Sequence, residues 1–186
     1  MNGRVETRAV ASTDEAGLVA LWRTVWKATY GPSLGPVALK HMLDELERDR
    51  LSGMLPGSGE RGYCAVSDGQ IVGTAVLAER GTTCYLWGMY IHPDRQRSRI
   101  GGWLLAEALD GITIAREIEV RALISSPWAV GFYRKYGFVP RSEAETTLFS
   151  SLHTRSLVLQ APVAAVRRRL GELRLLPAER GARNPD

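Results

Sequence analysis

Lysine is nearly absent: the chain of 186 residues holds 3 lysines against 21 arginines. Histidine is scarce too, at 3 residues, and cysteine at 2. Two cysteines are too few for a disulfide scaffold, and no spacing of His and Cys resembles a zinc site. Cys64 and Cys84 each lie inside a strand-like apolar run, so buried free thiols are the expected state. No apolar run reaches the length that spans a bilayer. The first ten residues, MNGRVETRAV, lack the apolar centre of a secretory signal. Internal repeats and low-complexity tracts are missing as well. These absences argue against a disulfide-rich secreted scaffold, a helical membrane protein and a repeat array. They lead to the expectation of a cytoplasmic protein with no metal.

What is present is the composition of an ordinary globular chain, with 45% hydrophobic and 24% charged residues. Its length suits one domain with a full core, or one domain with a short appendage. The division expected is a domain over residues 1–160 and an amphipathic helix with a frayed tail over 161–186. Net charge is +4. Arginines cluster twice, at 95–99 and at 167–169. A basic cluster is either solvated surface or a site for an anion.

Hydrophobic period and turn residues outline the elements. Residues 4–10 alternate as a first strand. Ser12, Thr13 and Asp14 precede Leu18, Leu21, Trp22, Val25 and Trp26 at helical spacing. Tyr30-Gly-Pro-Ser is expected to break that helix, and a second is expected over 35–51. Residues 52–61 read as a loop. Three strands follow, at 63–66, 71–79 and 82–91, the first two joined by the hairpin signal Asp68-Gly69. The third, TTCYLWGMYI, is apolar on both faces, as suits a central strand covered on both sides. A long helix is expected over 100–115 and a strand over 118–124. A short helix follows up to Lys135, with Gly137 as a C-cap. Two last strands are placed at 138–141 and roughly 148–159. The plan implies an α/β (α+β) fold of three layers. Its mixed sheet has about six or seven strands, part antiparallel and part parallel, with helices on both faces.

Two segments carry chemistry. HPDRQRSRIGGWLL lies between the central strand and the long helix. A helix that starts there leaves its first amides unpaired, which with the helix dipole makes an anion site. Glycines let a phosphate come close to the backbone, and Arg95, Arg97 and Arg99 add positive charge. The second segment is SSPWAVGFYRKYGF, residues 125–138.

Together these segments resemble the GNAT-type, acetyl-CoA-dependent N-acetyltransferase family. The first is similar to that family's pyrophosphate loop, Gln/Arg-x-x-Gly-x-Gly/Ala. Gln96 matches its first position and Gly101 its last, while Arg99 stands where the family has its first glycine. An arginine there is expected to keep right-handed helical dihedrals. The second resembles the family's Asn-x-x-Ala-x-x-Phe-Tyr-x-x-x-Gly-Phe. Ala129, Phe132, Tyr133, Gly137 and Phe138 match, and Ser126 replaces the Asn. The resemblance covers residues 63–138. It implies a GNAT-like fold with a splay between two parallel strands.

It also implies acetyl transfer from acetyl-CoA to a primary amine by direct attack. Tyr133 would then be the general acid to the departing thiolate, as suits a phenol of pKa near 10. Glu79, at the end of the neighbouring strand, is the candidate base, and His92 is weighed as structural. Cofactor contacts are assigned to Met89, Tyr90, Ile91, Gln96, Arg97, Ser98, Arg99, Ile100, Gly101, Gly102, Ser126, Ala129 and Phe132. Trp22, Trp26, Tyr30, Tyr85 and Trp87 are candidate walls of an acceptor pocket, against the alternative that they are core. The acceptor is a small-molecule or peptide amine.

Two other function classes are kept in view. One is a catalytically inactive acyl-CoA-binding sensor or interaction module, and the other, more distant, is a DNA-binding protein. A single basic turn at 167–169 is too little for nucleic acid. The helix expected over 162–176, with Val163, Val166, Leu170 and Leu173 apolar, is expected to pack on the domain or on the mate in a homodimer.

Overall fold

The computed structural model describes residues 5–48, 55–148 and 152–176. Among these, seven strands form one sheet: β1 (Val5–Ala9), β2 (Glu60–Ser67), β3 (Gln70–Arg80), β4 (Thr83–Ile91), β5 (Glu117–Leu123), β6 (Val139–Leu148) and β7 (Leu152–Pro162). Their order is β1-β2-β3-β4-β5-β7-β6. The helices are α1 (Glu15–Arg48), α2 (Ile100–Asp110), α3 (Pro127–Lys135) and α4 (Val163–Glu172). Asp68 and Gly69 both take positive φ, 52° and 75°, and make the tight turn between β2 and β3.

Every neighbouring pair is antiparallel except β4 and β5. That parallel pairing is short: residues 83–86 run beside 117–120, and there it stops. β4 goes on to Ile91 and β5 to Leu123, each still bonded on its outer side to β3 and β7. The sheet is therefore split between the C-terminal ends of its two parallel strands. This is the splayed, mixed, GNAT-like sheet that the two motifs implied.

Alternation along β4 distributes its side chains to two cores. Tyr90 joins the cluster under α1, built on Leu18, Leu21, Trp22, Val25 and Trp26. Met89 and Ile91 pack against the larger cluster that α2, α3 and α4 share with the strands. The sheet is thus covered on both faces, and α2 is apolar apart from Glu107 and Asp110 because it is buried on most sides. Trp22 and Trp26 are 1% and 0% exposed. Truncating either would cost about 3–5 kcal/mol. Both cysteines are free and fully buried, and burial pushes each thiol up to about 11.

Several expected boundaries move. The N-terminal helix does not break at Tyr30-Gly-Pro-Ser. It runs on past Pro32 and kinks at Gly35, whose φ of 74° and ψ of 168° only glycine adopts without strain. The expected end of the second helix at residue 51 lies outside the described residues, as does the tail at 180–186. α2 ends at Asp110, with Gly111 as its cap, and not at 115. The strand expected at 138–141 extends to Leu148, and the last strand is Leu152–Pro162 rather than 148–159. Residues 142–147, SEAETT, carry almost no apolar side chain because β6 is an edge strand, exposed along most of its length. α4 buries Val163, Val166 and Leu170, and it packs on α2 of its own chain. Arg167 Nη2 donates to the carbonyls of Leu109 (2.7 Å) and Ile112 (3.1 Å) at the end of α2.

No helix among the described residues is long and apolar enough to cross a membrane. Among the same residues, no group of three or more His, Cys, Asp or Glu is placed to hold a metal.

Candidate functional site

β4 ends at Ile91, and a single 3-10 turn over Pro93–Arg95 leads out of it. The turn is fixed from within. The Arg95 amide donates to the His92 carbonyl (2.9 Å), and the Asp94 amide donates to His92 Nδ1 (3.3 Å). His92 is thus a structural element of the turn. The Ser98 hydroxyl donates to the Arg95 carbonyl. Two arginines then take the left-handed conformation, Arg97 at φ 60° and Arg99 at φ 69°. Arg99 is the N-cap of α2, and no side chain caps the helix. The first helical bond runs from the Trp103 amide to the Arg99 carbonyl (3.1 Å). The amides of Ile100, Gly101 and Gly102 consequently have no partner within the helix. No acidic residue sits in this first turn, so the positive end of the dipole is unopposed there.

The expectation for Arg99 is corrected here. It does not keep right-handed dihedrals. It adopts the conformation a glycine would supply, so the loop keeps its shape at an energetic cost. A left-handed residue with a side chain costs roughly 1–2 kcal/mol. Arg99→Gly should therefore raise stability by about 1 kcal/mol or less, after the extra freedom of glycine in the unfolded chain takes back roughly 0.5–1 kcal/mol. Urea denaturation midpoints of the two proteins measure this, and a lower midpoint for the variant would contradict it.

Glycines 101 and 102 let α2 approach α3 closely. A Cβ on Gly101 would lie 2.9 Å from the Phe132 ring, and one on Gly102 would lie 2.5 Å from the Tyr136 hydroxyl. Where the loop, α2 and α3 meet at the split in the sheet, they enclose a cavity of about 360 Å³. Met89, Tyr90 and Ile91 of β4 line it, with Gln96, Arg97 and Arg99 of the loop. Gly101 and Gly102 line it from α2, and Ala129, Phe132 and Tyr133 from α3. Because Tyr90 belongs to the α1 face and Met89 and Ile91 to the other, the cavity reaches both faces of the sheet through the split.

Tyr133 is 7% exposed. Its ring is set edge-on against Phe132 (centroids 5.1 Å apart) and Phe138 (5.4 Å). Burial, with a smaller contribution from nearby Tyr90, holds its phenol well above the ordinary value, so it stays protonated. Tyr90 meets Trp26 edge-on at 6.5 Å, and its hydroxyl is hydrogen-bonded to that of Tyr30.

Other expected site residues lie elsewhere. Ile100 is 1% exposed in the core, and Ser98 is turned onto the Arg95 carbonyl. Ser126 is buried under α3 as its N-cap. Trp22, Trp26 and Tyr30 are corrected from pocket wall to core, because their turns of α1 face the sheet. Tyr85 lies under Arg80, whose guanidinium is 5.9 Å from its ring centroid. Trp87 is the extra residue of a β-bulge, where Val76 pairs with Gly88 but Leu77 pairs with Leu86. Neither Tyr85 nor Trp87 is part of the cavity wall.

Glu79 also lies away from the cavity wall. It accepts backbone N–H bonds from Ile114 and Ala115, each at 2.6 Å, and pairs with Arg61 at 2.9 Å. Burial alone would raise its pKa. The bonds from Ala115, Ile114 and Arg61 overcome this and bring it down to about 2. It pairs with Cys84 near the start of β4, whereas the cavity opens at 89–91. It pins the loop after α2 and is not one of the residues that line the cavity.

Val25 and Thr29 of α1, and Trp128, Lys135 and Tyr136 of α3, line the cavity without having been assigned to it. The α3 residues were legible: 128, 132 and 135–136 fall on one helical face. The charged residues of the wall are Arg95, Arg97, Arg99 and Lys135, all basic.

The family model described as Acetyltransferase (GNAT) domain matches residues 58–140. Among solved structures, the PaiA N-acetyltransferase of Thermoplasma acidophilum in complex with coenzyme A aligns at TM-score 0.66 and 20% identity. It covers 86% of this chain and 99% of that one. A ribosomal-protein alanine N-acetyltransferase from Escherichia coli aligns at TM-score 0.61 and 14% identity, over 86% and 94% of the two chains. A spermidine N-acetyltransferase chimera from Vibrio cholerae and hSSAT aligns at TM-score 0.60 and 15% identity, over 87% and 97%. No curated protein matches the sequence.

Proposed function

We propose, from the premise that this chain carries a GNAT acetyltransferase domain, that it transfers an acetyl group from acetyl-CoA to a primary amine. One observation carries the reading. The open amide end of α2, ringed by Arg95, Arg97, Arg99 and Lys135, faces the same cavity that the side chain of buried Tyr133 lines. A phosphate-bearing thioester needs both, a cationic cradle at one end and a proton donor at the other. The amino acids present suit that group.

In this reading the arginines and the α2 amides hold phosphate. The stretch of β4 that β5 leaves unpaired offers backbone groups to the pantetheine arm, in the manner of an added strand. The amine nitrogen bonds to the thioester carbonyl carbon, the C–S bond breaks, and Tyr133 gives its phenolic proton to the sulfur leaving as thiolate. Amine proton and phenolate are then balanced through water. The acceptor enters from the α1 side, past Val25 and Thr29.

Calorimetry with acetyl-CoA, followed by thiol release against a panel of amines, tests this. Micromolar binding and release with at least one amine class are expected. Absence of binding would overturn the reading. A second reading is an acyl-CoA-binding module without catalysis. It is favoured by one fact: among the described residues of the wall, none is a carboxylate or a histidine that could take the amine proton. Binding without thiol release from any amine would support it.

A further inference from the structure

The proposed reaction leaves one proton without a carrier on the protein. The amine nitrogen must shed it, and among the described residues of the cavity wall no carboxylate or histidine is there to take it. The wall does hold a second phenol. Tyr90 lines the cavity from the α1 face of the sheet, and Tyr133 lines it from the other face. The Tyr133 phenol lies near enough for charge on Tyr90 to act on it. Tyr90 is held in place on its own side. Its ring meets Trp26 edge-on at 6.5 Å, and its hydroxyl is bonded to that of Tyr30, which is 9% exposed. That bond raises the Tyr30 phenol and pulls the Tyr90 phenol down, so Tyr30 donates and Tyr90 accepts. The proton of Tyr90 is therefore not used on Tyr30. Burial outweighs the bond and holds the Tyr90 phenol above its ordinary value, so it stays neutral. A neutral hydroxyl accepts and donates at once, which is what passing a proton along requires. Val25 and Thr29, just before Tyr30 on α1, line the same wall, so an amine that enters past them meets the Tyr90 side of the cavity.

We propose that Tyr90 is the proton shuttle of the transfer, and that Tyr30 is the positioning residue that holds its hydroxyl in line. This rests on the acetyl transfer proposed above. As the amine nitrogen bonds to the thioester carbon and the C–S bond breaks, Tyr133 gives its proton to the sulfur. Tyr90 gives its own proton to the Tyr133 oxygen and takes the amine proton in return, with water bridging the hydroxyls. The N–H proton is thereby exchanged for an S–H proton. Both phenols end neutral, and no carboxylate is needed once the amine arrives uncharged.

The test follows thiol release in a single turnover, with acetyl-CoA and the fastest amine of the panel, per folded molecule. Tyr90→Phe keeps the ring beside Trp26 and removes the oxygen. It is expected to slow release about tenfold, less than Tyr133→Phe because water can stand in for the lost hydroxyl. Its affinity for acetyl-CoA by calorimetry should match wild type. Tyr30→Phe changes a core residue outside the cavity wall and should slow release about threefold, the worth of one neutral hydrogen bond. The decisive protein is the double variant Tyr90→Phe/Tyr133→Phe. Residues on one proton path are not additive, so it should be no slower than Tyr133→Phe alone. A packing role for Tyr90 predicts instead that the two losses multiply. Wild-type release in Tyr90→Phe, or multiplied losses in the double variant, overturns the shuttle and leaves the acetyltransferase reading intact. Should Tyr90→Phe fail to fold, wild-type release in Tyr30→Phe overturns it as well. Failure of the wild type to release thiol with any amine overturns both.

Discussion

Tyr133→Phe lowers kcat by about a hundredfold or more and leaves KM for acetyl-CoA nearly unchanged, by the usual worth of a general acid in the transition state. The substitution removes one oxygen and keeps the ring that packs between Phe132 and Phe138. Stability should hold to within about 1 kcal/mol, so the loss in rate is not a loss of folded protein. The pH profile adds a second check. Burial holds this phenol above its ordinary value of 10. In the proposed reaction its neutral form gives the proton, so what it contributes is present below that value and is lost only as pH rises past it. No falling limb between pH 6 and 9 should trace to Tyr133. Thiol release followed across that range in both proteins measures all three quantities. A variant with wild-type kcat would remove the principal argument for catalysis by this residue.

Lowering the pH from about 5 to 2 removes on the order of 4–6 kcal/mol of folding stability through two carboxylates, Asp14 and Glu79. This is the second large effect. Asp14 is gripped by Arg8 in two bonds of 2.7 and 2.8 Å and accepts the Ala11 amide at 2.7 Å. The Arg8 bond is the main cause that brings it from 3.8 down to about 2, against the effect of burial. Glu79 is brought from 4.5 down to about 2, as its backbone donors and Arg61 outweigh burial. Their side chains are only 9% and 13% exposed, so solvent screening is modest. Both folded-state values lie below the unfolded ones. The stabilisation is therefore complete above about pH 4.5 and is lost as pH falls through 2. Urea midpoints at pH 7 and pH 3 check the slope. Glu79→Gln should lose roughly 2–3 kcal/mol at pH 7 and flatten that slope, with kcat per folded molecule unchanged. Loss of kcat in a folded Glu79→Gln protein would restore Glu79 to the catalytic site.

The legible parts of this fold are those where one face of an element meets one environment. β4 reads as central because TTCYLWGMYI is apolar on both faces, and both faces are in fact covered. The strand at 83–91 and the start of α2 at residue 100 read correctly for the same reason, and the unpaired amides of α2 follow from any helix that begins without a cap. What escaped depends on partners far along the chain. The capture of residues 113–115 by Glu79, about 35 positions earlier, ends α2 sooner than its apolar spacing suggests. β6 escaped because an edge strand in water carries no alternation to read. The aromatics of α1 carried a helical period that fits core and pocket equally, and only their direction decided between them. Arg99 is the sharpest case. Propensity puts an arginine in the right-handed region, and the tertiary demand for a tight entry into α2 overrides it.

The split in the sheet also has a mechanical side. Among the described residues, β4 and β5 pair over only four positions, with the Arg116 and Glu117 amides donating to the Thr82 carbonyl at the closed end of the seam between the plate of β1–β4 and the plate of β5–β7. Two plates on so short a hinge would breathe most at the hinge's open end, where the cavity lies. α4 works against that motion. It leaves β7 on one plate and lies on α2, which follows β4 on the other, and Arg167 fastens it to the carbonyls at the end of α2. The C-terminal helix is in effect a buckle between the two plates, fastened at the end of α2 away from the glycines that line the cavity.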